Sequence, residues 1–277
     1  MTRFLKILIT WSTLITSINV FPNCTNDSFN KIITYDSSVQ KEKLIVPRIF
    51  AVIVGVADYD GTAYDLTYSD DDARLFYNHL KLALPNEMAN GNSVLLLNKN
   101  ATRQNILNSL QDVFAKSTEN DFIIFYFSGH GSPGNFCPSD ITNNLQHELV
   151  KNYFKNAKAK YRLCIADACF SGSIGSQQSS STENSTQNLK DARIAVIMSS
   201  KPNQTSAETN TLQQGVFSYY LINGLKGEAD TNNDKYITMG ELFIYTKNKT
   251  AQRTNGKQIP VVYGKNLDRI PLTKLKN

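Results

Sequence analysis

Two short segments carry the residue types that could break and form covalent bonds. His130 lies in Ser128-Gly129-His130-Gly131, and Cys169 lies in Asp167-Ala168-Cys169-Phe170-Ser171-Gly172. A histidine between two glycines sits on a backbone free to bend and to approach a ligand. A thiol near an imidazole is a nucleophile with its own base, the pairing that makes acyl transfer possible at neutral pH. Isolated thiols, with a pKa of about 8.5, are mostly protonated there and need such a base. The choice of residues is narrow, because the 277-residue chain has only three histidines (His79, His130, His147) and four cysteines (Cys24, Cys137, Cys164, Cys169). His79 and His147 fall in helical patterns with no partner pattern and are expected at the surface. Cys164, inside an apolar run, and Cys137, before Pro138, are expected to be structural. No C-x-x-C pair suggests a zinc site.

The pair needs a scaffold that brings both turns to one place. Ile49–Gly55, Ser93–Leu97, Asp121–Phe127, Tyr161–Ala166 and Arg193–Met198 read as strands, most of them continuous apolar, β-branched or aromatic runs. Between them, apolar residues recur at helical spacing over Ser69–Leu82, from a Thr102 cap to about Lys116, and over Thr142–Asn156, Val216–Leu225 and Glu241–Lys249. Val261–Tyr263 is expected as a last edge strand. Strands alternating with helices imply an α/β fold, a mostly parallel sheet flanked by helices on both faces. In such sheets ligands bind beyond the carboxyl ends of the strands. His130 and Cys169 each follow a strand directly, so both are expected at that edge.

Composition agrees with one large α/β domain. Hydrophobic residues make up 41% of the chain and charged residues 19%, which excludes a disordered chain. The net charge of +5 comes with no Lys/Arg block, so no nucleic-acid partner is expected. Residues 1–22 begin with Arg3 and Lys6 and continue as an apolar run to about Val20, the pattern of a secretory signal peptide. Its removal lowers the charge from +5 to +3. The protein is expected to be exported, periplasmic or secreted, or membrane-anchored if the segment is kept. No second apolar run is long enough to span a membrane. Residues 23–47 read as a polar lead-in to a domain over 48–277. Within that domain 173–191 is Ser/Thr/Gln/Asn-rich, with too few apolar residues to offset the entropy of ordering, and is expected to be a flexible loop.

Taken together, FYFSGHG at 125–131 and IADACFSG at 165–172 resemble the two signature blocks of the caspase-like cysteine peptidases, in particular bacterial metacaspase-like members. VGVADYDGTAYDLTYSDDDA, after the first strand, is similar to the family's opening block. The resemblance spans about 48–250. It implies a caspase–haemoglobinase fold and endopeptidase activity on protein or peptide substrates, with His130 as base, Cys169 as nucleophile and no required cofactor. It also places the backbone N–H groups of Gly131 and Cys169 at the oxyanion. Asp167 matches an acid of the primary specificity pocket, and Asp72, in the Ser-Asp-Asp-Asp-Ala run, matches a second. Two converging carboxylates would select Arg or Lys before the scissile bond. Asp72 could instead only complement the start of a helix, as Asp70 or Asp71 could. No arginine stands at the two matching positions, which argues against selection of Asp.

The sequence departs from relatives at two points. Ser-Pro-Gly-Asn-Phe-Cys-Pro-Ser-Asp, after His130-Gly131, holds Asp140 as its only acid, unlike the acidic calcium-binding stretch of eukaryotic metacaspases. Residue 170 is Phe where many relatives have His. A different calcium loop is suggested by Asp230, Asn232, Asp234, Tyr236, Thr238 and Glu241, whose spacing offers oxygens at loop positions 1, 3, 5, 7, 9 and 12. Lys235 occupies the sixth position, where glycine is usual, and the alternative is a turn whose acids cap the next helix. Two other functions fit less of the sequence: a non-catalytic caspase-like interaction module, and a legumain- or gingipain-like peptidase of different specificity. If the pocket takes basic side chains, Lys190 in the polar loop is the expected site of self-cleavage.

Overall fold

The structure is a computed structural model and describes residues 47–88, 91–168, 194–199, 208–209, 211–264 and 266–275. Residues 1–22, expected as a signal peptide, nearly all of 23–47, Cys169 and the polar stretch 173–191 with Lys190 lie outside the described residues. Six strands form the central sheet: β1 Ile49–Gly55, β2 Ser93–Leu97, β3 Phe122–Gly129, β4 Tyr161–Ala168, β5 Ile194–Met198 and β6 Val261–Tyr263. Their spatial order is β6-β5-β4-β3-β1-β2. All neighbours are parallel except the edge strand β6, which runs antiparallel to β5.

Helices cover both faces: α1 Ser69–Ala83, α2 Arg103–Phe114, α3 His147–Asn156, α4 Val216–Asn223 and α5 Met239–Arg253. Successive side chains of a strand point to opposite faces, so a strand buried on both sides must be apolar throughout. In β3, Ile123, Phe125 and Phe127 pack with Ile106, Leu110 and Phe114 of α2 and with Val150 and Phe154 of α3. Phe122, Ile124 and Tyr126 pack with Phe76 and Leu80 of α1, Phe217 and Leu221 of α4 and Leu242 of α5. Every residue of β1 and β3 is buried. This is the expected architecture, a mixed sheet of mostly parallel strands between two helical layers.

Some local expectations are corrected. Thr102 caps α2 as expected, its side chain accepting from the Asn105 N–H. The helix expected from Thr142 starts only at His147, because Leu145–Gln146 pairs with Asn135–Phe136, which pairs in turn with Gly131–Ser132. That small antiparallel unit grows directly from His130. It also places His147 inside the protein, 4% exposed and against the ring of Phe136. Burial, with a smaller effect from Lys151, brings its pKa down to about 3, so this imidazole is neutral and structural. His79 is half-buried rather than at the surface, and burial, then the charge of Lys226, lowers its pKa. A C-terminal strand, Pro271–Lys274, pairs antiparallel with Tyr236–Thr238.

Candidate active site

The register of the sheet fixes where the two reactive segments leave it. Ser128 of β3 is level with Asp167 of β4, and Gly129 is level with Ala168. His130 and Cys169 are the next residues of the two chain segments. Gly55, the last residue of β1, is level with Ser128, so the loop after β1 opens at the same edge.

His130 is held at three points. Its backbone N–H donates to the phenol oxygen of Tyr59 at 2.6 Å. Its carbonyl accepts from the Cys137 N–H at 3.0 Å. Its ring Nε2 lies 2.8 Å from the backbone carbonyl of Tyr64. A carbonyl can only accept, so Nε2 must carry the proton in this contact. In the neutral imidazole the basic nitrogen is then Nδ1, which is left to take a proton from a nucleophile. The oxygen of the Tyr64 peptide therefore orients the base much as a carboxylate does in a triad. The ring of Tyr59 packs obliquely on the imidazole, with centroids 5.0 Å apart.

The other thiols among the described residues are poor nucleophiles. Cys164 is enclosed in β4, and burial pushes its pKa up to about 12. Cys137 is buried, and its Sγ is 3.7 Å from Asn144 Oδ1. Both agree with the structural role expected of them.

Asp72 and Asp167 come together at Gly215, and their neighbours Asp70 and Asp71 do not join them. Asp70 accepts from the Asn98 side chain at 3.0 Å, and Asp71 is half-exposed beside Arg74. Asp72 turns inward, 1% exposed, and both its oxygens accept from the Gly215 N–H, at 3.2 and 3.1 Å. Asp167, 5% exposed, accepts from the Ser218 hydroxyl at 2.8 Å. Because Ser218 spends its proton on Asp167, it accepts from the phenol of Tyr126 at 2.6 Å. The fully enclosed Tyr126 phenol has its pKa held well up by burial first, then by the charges of Asp72 and Asp167. Two negative groups thus share one buried place at the start of α4, an arrangement costly without a cation or multiple donors.

Gly215 makes that approach possible. A Cβ on this residue would stand 2.7 Å from Asp72 Oδ2 and 2.9 Å from Asp167 Oδ2, inside van der Waals contact. Its φ of −61° suits any residue, so the requirement for glycine is steric. Gly215→Ala should push the carboxylates apart at a cost of about 1–3 kcal/mol in stability. A thermal melt should show the loss; an unchanged melting temperature would contradict the packing described.

The acids of the suggested calcium loop accept hydrogen bonds from the loop itself. Asp230 and Asn232 accept from the Asp234 N–H, Asp230 also accepts from the Lys235 N–H, and Asp234 accepts from the Tyr236 N–H. Lys235 takes the left-handed conformation, φ 69°, that glycine would adopt more easily. Glu241 closes a capping box on Thr238 at the start of α5. Among the described residues no three His, Cys, Asp or Glu side chains are grouped closely enough to hold a metal. Nor, among them, is any helix long and apolar enough to cross a membrane.

Comparison with known proteins decides the family. Residues 48–270 match the Caspase domain family. The chain belongs to the caspase-domain family. Among the solved structures that share the fold of this caspase domain are two at low identity. The protein GSU0716 from Geobacter sulfurreducens is 16% identical, with a TM-score of 0.57 over 83% of this chain and 100% of the other. Caspase-1 from Spodoptera frugiperda is 15% identical, with a TM-score of 0.58 over 79% of this chain and 86% of the other. Comparison with curated proteins finds no match. The family is one of cysteine peptidases acting on proteins, which agrees with the reading of the two signature blocks.

Tyr59, Tyr64, Gly215 and Ser218 carry no sequence signal of a role in the site. Tyr64 acts through its peptide oxygen, which any residue supplies. Gly215 and Ser218 are distant in sequence from the acids they meet. The only available hint is that Gly215 directly precedes an apolar helical pattern.

Proposed function

We propose that this caspase domain is a cysteine endopeptidase that hydrolyses protein substrates after Arg or Lys. The observation that carries the reading is the level placement of Gly129 and Ala168 on adjacent parallel strands; His130 and Cys169 are the residues that follow them in the sequence. His130, with Nε2–H held on the Tyr64 carbonyl, uses Nδ1 to remove the Cys169 proton. The thiolate attacks the scissile carbonyl, and the N–H groups of Gly131 and Cys169 stabilise the oxyanion. The imidazolium returns its proton to the leaving amine, giving an acyl-enzyme. Water, deprotonated by the same nitrogen, hydrolyses the thioester and regenerates the thiol.

Selection of Arg or Lys is supported by Asp72 and Asp167. A guanidinium or ammonium offers several donors and a full positive charge to two carboxylates held around Gly215. A positional-scanning peptide library tests this directly. Basic residues should dominate the position before the cleaved bond; a preference for Asp or for apolar residues would overturn the specificity.

The same specificity leads to self-processing. Lys190 lies in the polar stretch between the nucleophile segment and β5. Wild-type protein should be cut after Lys190, giving a fragment that keeps His130 and Cys169 and a smaller one of residues 191–277. Intact-mass spectrometry should find both fragments in the wild type and neither in Cys169→Ala. Equal cutting in both proteins, or an uncut and fully active wild type, would contradict self-processing.

A further inference from the structure

We infer that Tyr59 is a positioning residue for His130, and that the loop Ala57–Leu66 clamps the base from two sides; this rests on the peptidase reading above. Two hydrogen bonds join the loop to His130, beside the packing of the Tyr59 ring on the imidazole. The phenol oxygen of Tyr59 accepts the His130 backbone N–H at 2.6 Å, and the carbonyl of Tyr64 meets Nε2 at 2.8 Å. Fixing the amide sets where the side chain starts, and fixing Nε2 sets how the ring is turned. Both are needed to aim Nδ1, because an imidazole held at one point can still swing or exchange tautomers.

The clamp is itself built into the fold. Tyr59 is 4% exposed. Its own N–H donates to Asp65 Oδ1 at 3.1 Å, and the Leu66 N–H closes the loop on the Ala57 carbonyl at 2.8 Å. Asn98, just beyond β2, receives the N–H groups of Ala57 and Asp58 on its side-chain oxygen, at 2.9 and 3.1 Å. Asp60 donates its N–H to the Ser139 carbonyl at 3.0 Å, beyond the hairpin that follows His130. The phenol has a reserved place, since a Cβ on Gly129 would stand 2.6 Å from its oxygen. A residue any larger before His130 would therefore displace the tyrosine hydroxyl. This arrangement gives the hydroxyl a function beyond the packing of the ring.

The test is Tyr59→Phe, which keeps the ring and removes the hydroxyl that accepts the His130 N–H. Its kcat on a basic peptide should fall on the order of tenfold, with KM and the melting temperature near wild type. The distinguishing readout is ¹⁵N NMR of histidine-labelled protein, practical because the chain holds three histidines. Wild type should show His130 as the Nε2–H tautomer with a slowly exchanging amide; Tyr59→Phe should show mixed tautomers and faster amide exchange. A wild-type kcat with unchanged His130 signals would overturn the inference, as would a kcat loss with unchanged signals. If Tyr59→Phe does not fold, rapid exchange of the wild-type His130 amide would overturn it and slow exchange would support it. An inactive wild type would count against the peptidase reading, and the NMR measurement would still decide the clamp.

Discussion

Cys169→Ala and His130→Ala should each lower peptide hydrolysis on the order of 10⁴-fold or more, to the background of the assay. The two losses should not add. Without the thiol there is no acyl-enzyme, and without the imidazole the thiol stays protonated, so the double variant should be no worse than either single one. Neither change should unfold the protein. His130 is half-buried, and among the described residues its ring makes one hydrogen bond, to the Tyr64 carbonyl. Losing that bond costs about 1 kcal/mol, small beside the stability of a domain with two apolar layers. Circular dichroism melts of the variants provide the control. Activity surviving in either variant would remove that residue from the mechanism.

Asp167→Asn and Asp72→Asn should each reduce kcat/KM for substrates with Arg before the cleaved bond by roughly 30-fold or more, reflecting the 2–5 kcal/mol lost when one member of a buried charge pair is removed. Asparagine keeps the shape and can still accept from Ser218 or from the Gly215 N–H, so the loss reports charge rather than packing. Asp71→Asn is the matched control. Asp71 lies one residue away on α1, its side chain 56% exposed beside Arg74, and its charge is screened by water. Its removal should leave kcat/KM unchanged. Equal effects from Asp71 and Asp72, or no effect from Asp167, would show that the carboxylate pair does not read the substrate.

The central sheet could be read from the sequence because its strands announce themselves. Ile49–Gly55 and the apolar run ending at Phe127 are buried on both faces and so carry no polar interruption. The edge strand at Val261–Tyr263 and the capped helix after Thr102 were also legible, one from its branched residues and one from its cap. What escaped was short or depended on distant partners. The three two-residue strands after His130 have no periodicity to detect, and pairing Leu145–Gln146 cost the next helix its expected first turn. His147 sits at helical spacing, and only the hairpin folded against it puts it inside. At the site, the acids could be picked out only through the resemblance to the family, since Asp72 is one of three consecutive acids at the start of a helix. Gly215 and Ser218 could not, because their importance arises only when α4 is packed over β4 and α1.

In the proposed mechanism His130 makes Cys169 the reactive thiol. The most direct measurement is covalent labelling with a thiol-reactive peptidyl probe carrying Arg at the residue before the reactive group, followed by peptide mass spectrometry. One adduct per chain is expected, on Cys169, absent in Cys169→Ala and strongly slowed in His130→Ala. Folded wild-type protein that takes no label, or that carries it on Cys137 or Cys164, would contradict it.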